Sequence, residues 1–158
     1  MIKDSGNRTK FESGAVRDMQ EGKGRCDLLP LDVAGVCANS VELIQLSDFI
    51  EYGHPKYLQY AIDEFTSKSF VSMPNMLLEV AKHFEEGAKK YGERNWQKGI
   101  PVRCYIDSGV RHYLKWLRGD DDERHDRAFC WNMLCAIWTC KYKPELNEYA
   151  KENENDKA

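Results

Sequence analysis

The sequence lacks the long apolar runs that mark membrane proteins and exported precursors. No stretch approaches the roughly 20 apolar residues that a membrane-spanning helix needs. The opening MIKDSGNRTK contains no apolar block of the signal-peptide kind. We therefore expect a cytoplasmic protein without a membrane partner.

Cysteine pairs at metal-ligand spacing are also missing. The six cysteines include no CxxC pair and no CxxH pair, which are spacings typical of zinc sites and redox motifs. Cys130, Cys135 and Cys140 fall in or at the end of an apolar helical segment, where a free cysteine behaves as a small hydrophobic residue. A structural zinc site and a disulfide scaffold are therefore disfavoured.

An excess of positive charge is absent as well. The chain has 23 Lys and Arg against 26 Asp and Glu, a formal net charge of −3. This balance argues against a large basic surface for polymeric nucleic acid, so cations that bind phosphate must act locally. The stretch GKGR at 22–25 lacks the length and the preceding strand of a Walker phosphate loop.

What the sequence does contain is a series of helical patterns in 158 residues, a length that suits one domain. Residues 1–30 are polar, glycine-rich and without periodicity, which predicts an extended N-terminal arm. The pattern of residues 31–145 predicts an all-α helical domain, and that of residues 146–158 predicts a charged, disordered tail. The predicted helices cover about 31–52, 55–67, 75–91, 103–117 and 121–141, and no strand is predicted.

Carboxylates on the apolar side of predicted helices are the main functional signal. On a helix over 121–141, Glu123 and Asp126 project along the same line as the apolar residues. Carboxylates aimed at a core are costly unless something compensates them, and an i,i+3 pair can share one cation. Oxygen ligands select Mg²⁺ or Mn²⁺. We predict a metal site made of Glu85, Asp107, Glu123 and Asp126.

Other acids have a structural interpretation. The third predicted helix has an apolar stripe that includes Leu77, while Glu79, His83 and Glu86 lie on the opposite, solvent-facing side. For Glu79, Glu86 and Asp121 a solvated face or a helix cap is the favoured interpretation.

Cations and aromatic residues gather in the segment GAKKYGERNW at 87–96. Such residues around a glycine turn can bind phosphate and stack on a base. A cationic last helical turn followed by an anchoring Trp has the same composition, so both interpretations stay open. Arg17, Lys23 and Arg25 add cations from an arm that can fold over a bound polyphosphate.

Three segments carry a family resemblance: SGAVRDMQEGKGRCDLLP near the start, GAKKYGERNWQKGIP, and DSGVRHYLKWLRGDDDERHDRAFCWN. Together they resemble the phage and bacterial dATP/dGTP diphosphohydrolase family. That family is similar to the MazG-like all-α nucleoside triphosphate pyrophosphatases. The resemblance implies a MazG-like helical bundle and Mg²⁺- or Mn²⁺-dependent hydrolysis of dGTP or dATP to the monophosphate and pyrophosphate. It also implies a homo-oligomer, a dimer or tetramer, in a bacterial or phage-infected cell.

The Glu-x-x-Asp metal element of the MazG-type enzymes matches Glu123-Arg124-His125-Asp126, but their preceding Glu-x-x-Glu element has no clean match. Glu86 is the candidate that orients the attacking water, and Lys90 and Arg111 are catalytic candidates that neutralise phosphate. The predicted nucleotide-binding residues are Arg17, Lys23, Arg25, Lys90, Tyr91, Arg94, Asn95, Trp96, Arg111, His112 and Asn132.

Two other functions stay open. One is a non-enzymatic helical accessory protein of phage or host, whose acids lie on the surface and whose Trp residues fill an interface. The other is a phosphohydrolase of the His-Asp type, suggested by His125-Asp126, with His83 and His112 as the available further ligands. Since no two histidines have a zinc-like spacing, we expect His112 and His125 to form hydrogen bonds or to contact a nucleotide.

Overall fold

The computed structural model describes residues 6–151, and six α-helices make up most of this part of the chain. They are α1 Leu31–Cys37, α2 Val41–Tyr52, α3 Lys56–Lys68, α4 Met73–Tyr91, α5 Val102–Arg118 and α6 His125–Tyr142. Short 3₁₀ turns cover Cys26–Leu28, Asn95–Lys98 and Pro144–Leu146. The prediction of an all-α bundle is confirmed. No helix among the described residues is both long and apolar enough to cross a membrane.

The N-terminal arm contains strands that the sequence pattern does not predict. β1 Arg8–Lys10 and β2 Val16–Asp18 form an antiparallel pair. Each strand has three residues, which is too short to show a two-residue hydrophobic period. The arm is therefore a small hairpin followed by a loop. Residues 1–5 of the predicted arm and 152–158 of the predicted tail lie outside the described residues.

The helix predicted over 31–52 is two helices. Asn39 has a φ of +49°, a backbone conformation that interrupts a helix. The hydroxyl of Ser40 then accepts a hydrogen bond from the N–H of Leu43, as an N-cap does. The first helix therefore ends at Cys37, and a new one starts after the break.

The core lies around α5 and α6, which pack against each other with opposite chain directions. Ring contacts pair Tyr113 with Phe129 at 5.4 Å and Tyr105 with Trp131 at 5.9 Å between centroids. Between these pairs, a side chain at Gly109 would collide with a methionine of α6. Since α5 is buried over most of its length, its polar side chains need partners inside the fold.

The face that α4 buries differs from the predicted one. Leu77, in the predicted stripe, is 45% exposed, whereas Met76, Val80 and His83 are buried. The buried residues still have helical spacing, but each lies one position before a residue of the predicted stripe. The reason is that α4 packs on α6 along these buried residues. The prediction that His83 faces solvent is therefore wrong, and its ring lies 5.3 Å from that of Trp131.

The chain after α6 packs on α2. The side-chain amide of Asn147 donates to the carbonyl of Gly53 at 2.9 Å. The ring of Tyr149 meets Phe49 edge-on at 5.5 Å. Gly53 has a left-handed φ of +69° at the end of α2, and a Cβ there would collide with the backbone of 149–150. The first residues of the predicted tail are thus part of the packed fold.

We expect Gly53→Ala to lower the free energy of unfolding more than Gly119→Ala does. Both glycines end a helix at positive φ, where alanine costs about 1–2 kcal/mol, but a Cβ at Gly119 meets no atom within 4 Å. The difference between the two variants therefore reports the docking of 149–150 on α2. Urea unfolding measures both values, and equal losses would contradict this docking.

Candidate functional site

A buried carboxylate ties the N-terminal arm to the bundle. Asp107 is 2% exposed. Its Oδ1 accepts a hydrogen bond from the backbone N–H of Cys26 at 2.7 Å, and its Oδ2 accepts one from Arg111 at 2.6 Å. Arg111 also donates to the carbonyl of Gly24 at 2.7 Å. The end of the arm is therefore held against α5.

The hairpin of the arm is held by a second set of polar contacts. The side-chain amide of Asn95 accepts from the N–H of Val16 at 2.9 Å and donates to its carbonyl at 2.7 Å. Gln20 donates to the hydroxyl of Ser108 on α5 at 2.9 Å. These contacts make the arm one wall of a cavity of about 700 Å³, whose other walls are α4, α5 and α6. We call it the arm cavity.

Positive side chains from the arm and from α5 line the arm cavity. Arg17, Lys23 and Arg111 are among them. The pKa of Lys23 is lowered, mainly because the side chain is partly buried. The carboxylate of Asp18 acts in the opposite direction. The nearby positive charges of Arg111, Lys90 and Arg17 lower the pKa further. Cations that repel one another in a partly desolvated cavity favour an anionic ligand.

Several N–H donors around the arm cavity are buried and have no acceptor among residues 6–151. They are Nη1 of Arg17, Nε of Arg111 and Nε1 of Trp131. Arg17 is held in place because its Nη2 donates to Asn132 at 2.7 Å and its guanidinium lies 5.0 Å above the ring of Tyr105. A buried donor without an acceptor costs about 1–3 kcal/mol. A ligand rich in oxygen atoms would therefore stabilise this arrangement.

Aromatic rings line the side of the cavity formed by α4 and α6. Trp131 lies 5.3 Å from the ring of His83, and Trp96 lies 5.3 Å from Phe84. Tyr91 also lines the cavity. Burial lowers the pKa of His83 to about 4, so this imidazole is neutral at physiological pH. Flat, uncharged rings of this kind offer stacking surfaces for a heterocycle.

Two histidines and two carboxylates meet where α5 ends and α6 begins. The Nδ1 atoms of His112 and His125 are 3.0 Å apart. Oε1 of Glu123 lies 3.5 Å from the first and 3.7 Å from the second. The other nitrogen of His125, Nε2, lies 2.7 Å from Oδ1 of Asp122. We call these four residues the histidine–carboxylate group, and two of them, His112 and Glu123, line the arm cavity.

The turn between α5 and α6 brings this group together. Gly119 ends α5 with a left-handed φ of +88°, and α6 starts at His125. The loop 119–124 therefore folds back beside the last turns of α5. Burial is the main cause that lowers the pKa of His112 well below its usual value, so its ring is neutral and carries a lone pair.

The prediction that Glu123 and Asp126 share a helical face is wrong. The helix begins at His125, four residues later than predicted, so Glu123 precedes it and helical projection does not apply to it. Asp126 pairs with Arg124 at 2.8 Å, and Arg124 also contacts Glu79 at 3.1 Å. These residues line a second cavity of about 450 Å³, not the arm cavity.

The other two predicted ligands, Glu85 and Asp107, are not brought together with them. The Glu85 side chain is 66% exposed at the rim of the arm cavity and pairs with Lys89 at 2.6 Å. Asp107 uses both oxygens to hold the arm. Within residues 6–151, the groups whose ligand atoms lie within 4.8 Å of one another are His112 with Glu123 and His125, and Asp120 with Asp122 and His125. Of the four predicted ligands, Glu123 is the one that belongs to such a group.

Most of the predicted nucleotide-binding residues line the arm cavity. They are Arg17, Lys23, Tyr91, Arg94, Asn95, Trp96, Arg111, His112 and Asn132. Two others do not line it, since Lys90 pairs with Asp18 at 2.7 Å and Arg25 pairs with a neighbouring acid of the arm. The catalytic candidate Glu86 pairs with Arg127 at 2.6 Å and does not line the cavity either.

The sequence prediction does not include several residues that the fold brings to this cavity. They are Gln20, His83, Ser108, Lys115 and Trp131. Trp131 lies inside the segment DRAFCWN, which carries the family resemblance, and so had a sequence signal. The contact between His112 and His125 joins two helices, and no helical spacing indicates it.

Comparisons with known proteins identify the family. A family model described as dATP/dGTP diphosphohydrolase, N-terminal, matches residues 60–149, more than half of the chain. The match runs from α3 to the turn after α6 and leaves out the arm. Neither the curated proteins nor the solved structures gave a match. The chain belongs to the dATP/dGTP diphosphohydrolase family.

Proposed function

We propose that this protein hydrolyses dGTP or dATP to the deoxynucleoside monophosphate and pyrophosphate, with the substrate bound in the arm cavity. Membership of a diphosphohydrolase family supports the reaction class. The observation that carries the proposal is the pairing, in one cavity, of buried cationic donors with the histidine–carboxylate group. A volume of about 700 Å³ suits a nucleotide-sized ligand.

The cations of the arm cavity suit the triphosphate. Arg17, Lys23 and Arg111 reach the cavity from two different elements, and two of them retain buried N–H donors without an acceptor among residues 6–151. Phosphate oxygens would accept from these donors and relieve the repulsion between the cations. Because the donors are already held by Asn132 and Asp107, little reorganisation is needed when the phosphates bind.

The histidine–carboxylate group fits a divalent cation next to these phosphates. His112, Glu123 and His125 present three ligand atoms within 4.8 Å of one another. When bound, a divalent ion neutralises phosphate oxygens and makes a bound water more acidic. The residues of this chain then have separate tasks: the cations hold the phosphates, and the histidine–carboxylate group holds the ion beside them. Glu86 is outside this proposal because its carboxylate pairs with Arg127 away from the cavity.

The aromatic side of the cavity suits the base. Tyr91, Trp96 and Trp131 line it, and their rings offer a stacking surface to a purine. We assign no base contact to Asn95, because its side-chain amide already holds Val16 by two hydrogen bonds. Preference for a purine is therefore expected to come from stacking area.

The His-Asp alternative is less well supported by the geometry. It needs Asp126 next to a metal-facing nitrogen of His125, but Asp126 pairs with Arg124 beside the second cavity. The oligomer implied by the family resemblance stays a prediction, which sedimentation of the purified protein would test.

We expect the purified protein, with Mg²⁺ or Mn²⁺, to convert dGTP or dATP to the monophosphate and pyrophosphate faster than dCTP or dTTP. The reason is that a purine gives more stacking area on the rings of the cavity. Chromatography of the products with each triphosphate measures this. Release of orthophosphate or tripolyphosphate would contradict the proposed bond cleavage.

We expect Arg17→Gln to lower kcat/KM for the purine triphosphate by about 10- to 100-fold, because a charge-assisted hydrogen bond contributes about 1.5–3 kcal/mol. Arg103→Gln is the matched control, since Arg103 is half exposed and pairs with Glu148 outside the cavity. Initial rates of pyrophosphate release and melting temperatures of both variants measure the effect. Equal rates for the two variants would remove Arg17 from the phosphate site.

A further inference from the structure

We propose that His112, Glu123 and His125 form a three-ligand site for a divalent transition-metal ion, with Zn²⁺ or Co²⁺ preferred over Mg²⁺. Asp122 would position His125 from outside the ligand set. This inference deepens the proposed function, on which it rests only for the role of the metal in hydrolysis. The existence of the site stands on the geometry of the four side chains.

The spacing of the three ligand atoms matches that around a metal ion. Nδ1 of His112, Nδ1 of His125 and Oε1 of Glu123 are separated by 3.0, 3.5 and 3.7 Å. The point in their plane that is equidistant from them lies about 2.0 Å from each, close to the bond lengths of about 2.0–2.2 Å that zinc forms with imidazole and carboxylate. An ion at or slightly above this plane would therefore lie at bonding distance from all three atoms.

The tautomer of His125 points to the same arrangement. A carboxylate accepts hydrogen bonds, so the 2.7 Å contact with Asp122 places the ring proton of His125 on Nε2. Nδ1 of His125 is then the nitrogen left for a metal ion, and it faces both His112 and the carboxylate of Glu123. A metal-bound histidine usually donates its other N–H to a carboxylate in this way, which fixes the ring and its tautomer.

Glu123 is a partly buried carboxylate that pairs with no Lys or Arg of the described residues. Its side chain is 12% exposed. Among residues 6–151, its ion-pair contacts are with the two histidines, and no Lys or Arg is among them. A carboxylate without a cationic side chain beside it has no fixed counter-charge. A cation between the three groups would supply it.

The ligand types indicate the class of metal. Two imidazole nitrogens and one carboxylate suit zinc, cobalt, nickel or iron, whereas Mg²⁺ prefers oxygen ligands and keeps its waters. Three protein ligands leave at least one position open, which is typical of catalytic and not of structural zinc sites. Because His112 and Glu123 line the arm cavity, the open position would face the phosphates.

Metal titrations without nucleotide test the site itself. After removal of metals by chelation, we expect Zn²⁺ to bind with a 1:1 stoichiometry in calorimetry and at least about 100-fold more tightly than Mg²⁺. In ¹⁵N NMR spectra of the Zn²⁺-loaded protein, the Nδ1 signals of His112 and His125 should shift while those of His54 and His83 stay. Equal affinity for Mg²⁺ and Zn²⁺, or unshifted signals of the first two histidines, would overturn the inference.

Two conservative variants test the roles of the carboxylates. Glu123→Gln removes a ligand, and Asp122→Asn removes the negative charge of the positioning contact. We expect each change to weaken Zn²⁺ binding by about 10- to 100-fold. Asp121→Asn, at the exposed neighbouring acid, is the matched control and should bind Zn²⁺ like the wild type. Wild-type affinity in Glu123→Gln would refute the ligand set.

The same experiments separate this inference from the proposed function. Tight Zn²⁺ binding by a protein that hydrolyses no purine triphosphate would leave the metal site standing and refute the proposed function. Full hydrolysis with Mg²⁺ by Glu123→Gln would refute the role of this metal site in hydrolysis and leave the reaction and its substrate standing.

Discussion

The hydrogen-bonded pair of Asp107 and Arg111 is the interaction on which the site depends. A carboxyl group that is 2% exposed is costly to bury unless its oxygens form hydrogen bonds, and here Arg111 and the backbone of Cys26 donate to them. The same contacts fasten the end of the arm to α5. Without them, the end of the arm would lose its attachment to α5, and the hairpin contacts of Asn95 and Gln20 would hold this wall of the arm cavity alone.

The arm and the α5–α6 turn supply complementary charges to one cavity. Arg17 and Lys23 come from the arm, whereas Glu123 comes from the loop before α6. Cations grouped with a carboxylate and two histidines suit a ligand that is itself anionic and carries a metal ion, as a nucleoside triphosphate does. Because Asn132 holds Arg17 and Asp122 holds His125, these two side chains are oriented before a ligand binds.

The predicted cationic residues of the site agree with the structure better than the predicted acidic residues do. Cations and aromatics were predicted from a short segment and from family resemblance, and most of them line the cavity. The acids were predicted from helical projection, which depends on where a helix starts. α6 begins at His125, so the projected face of Glu123 does not exist. Asp126 is in the helix, but its pairing with Arg124 could not be derived from a hydrophobic pattern.

The sequence by itself determined the helical class of the fold, the approximate position of its long helices and the family of the chain. These follow from local periodicity, from glycine and proline at helix ends, and from contiguous motifs. Only the tertiary structure decided which acids meet which bases. His112 and His125 approach within 3.0 Å although thirteen positions separate them in the sequence, because the turn after Gly119 reverses the chain. Contacts between different elements depend on how whole helices pack, and no local pattern records that packing.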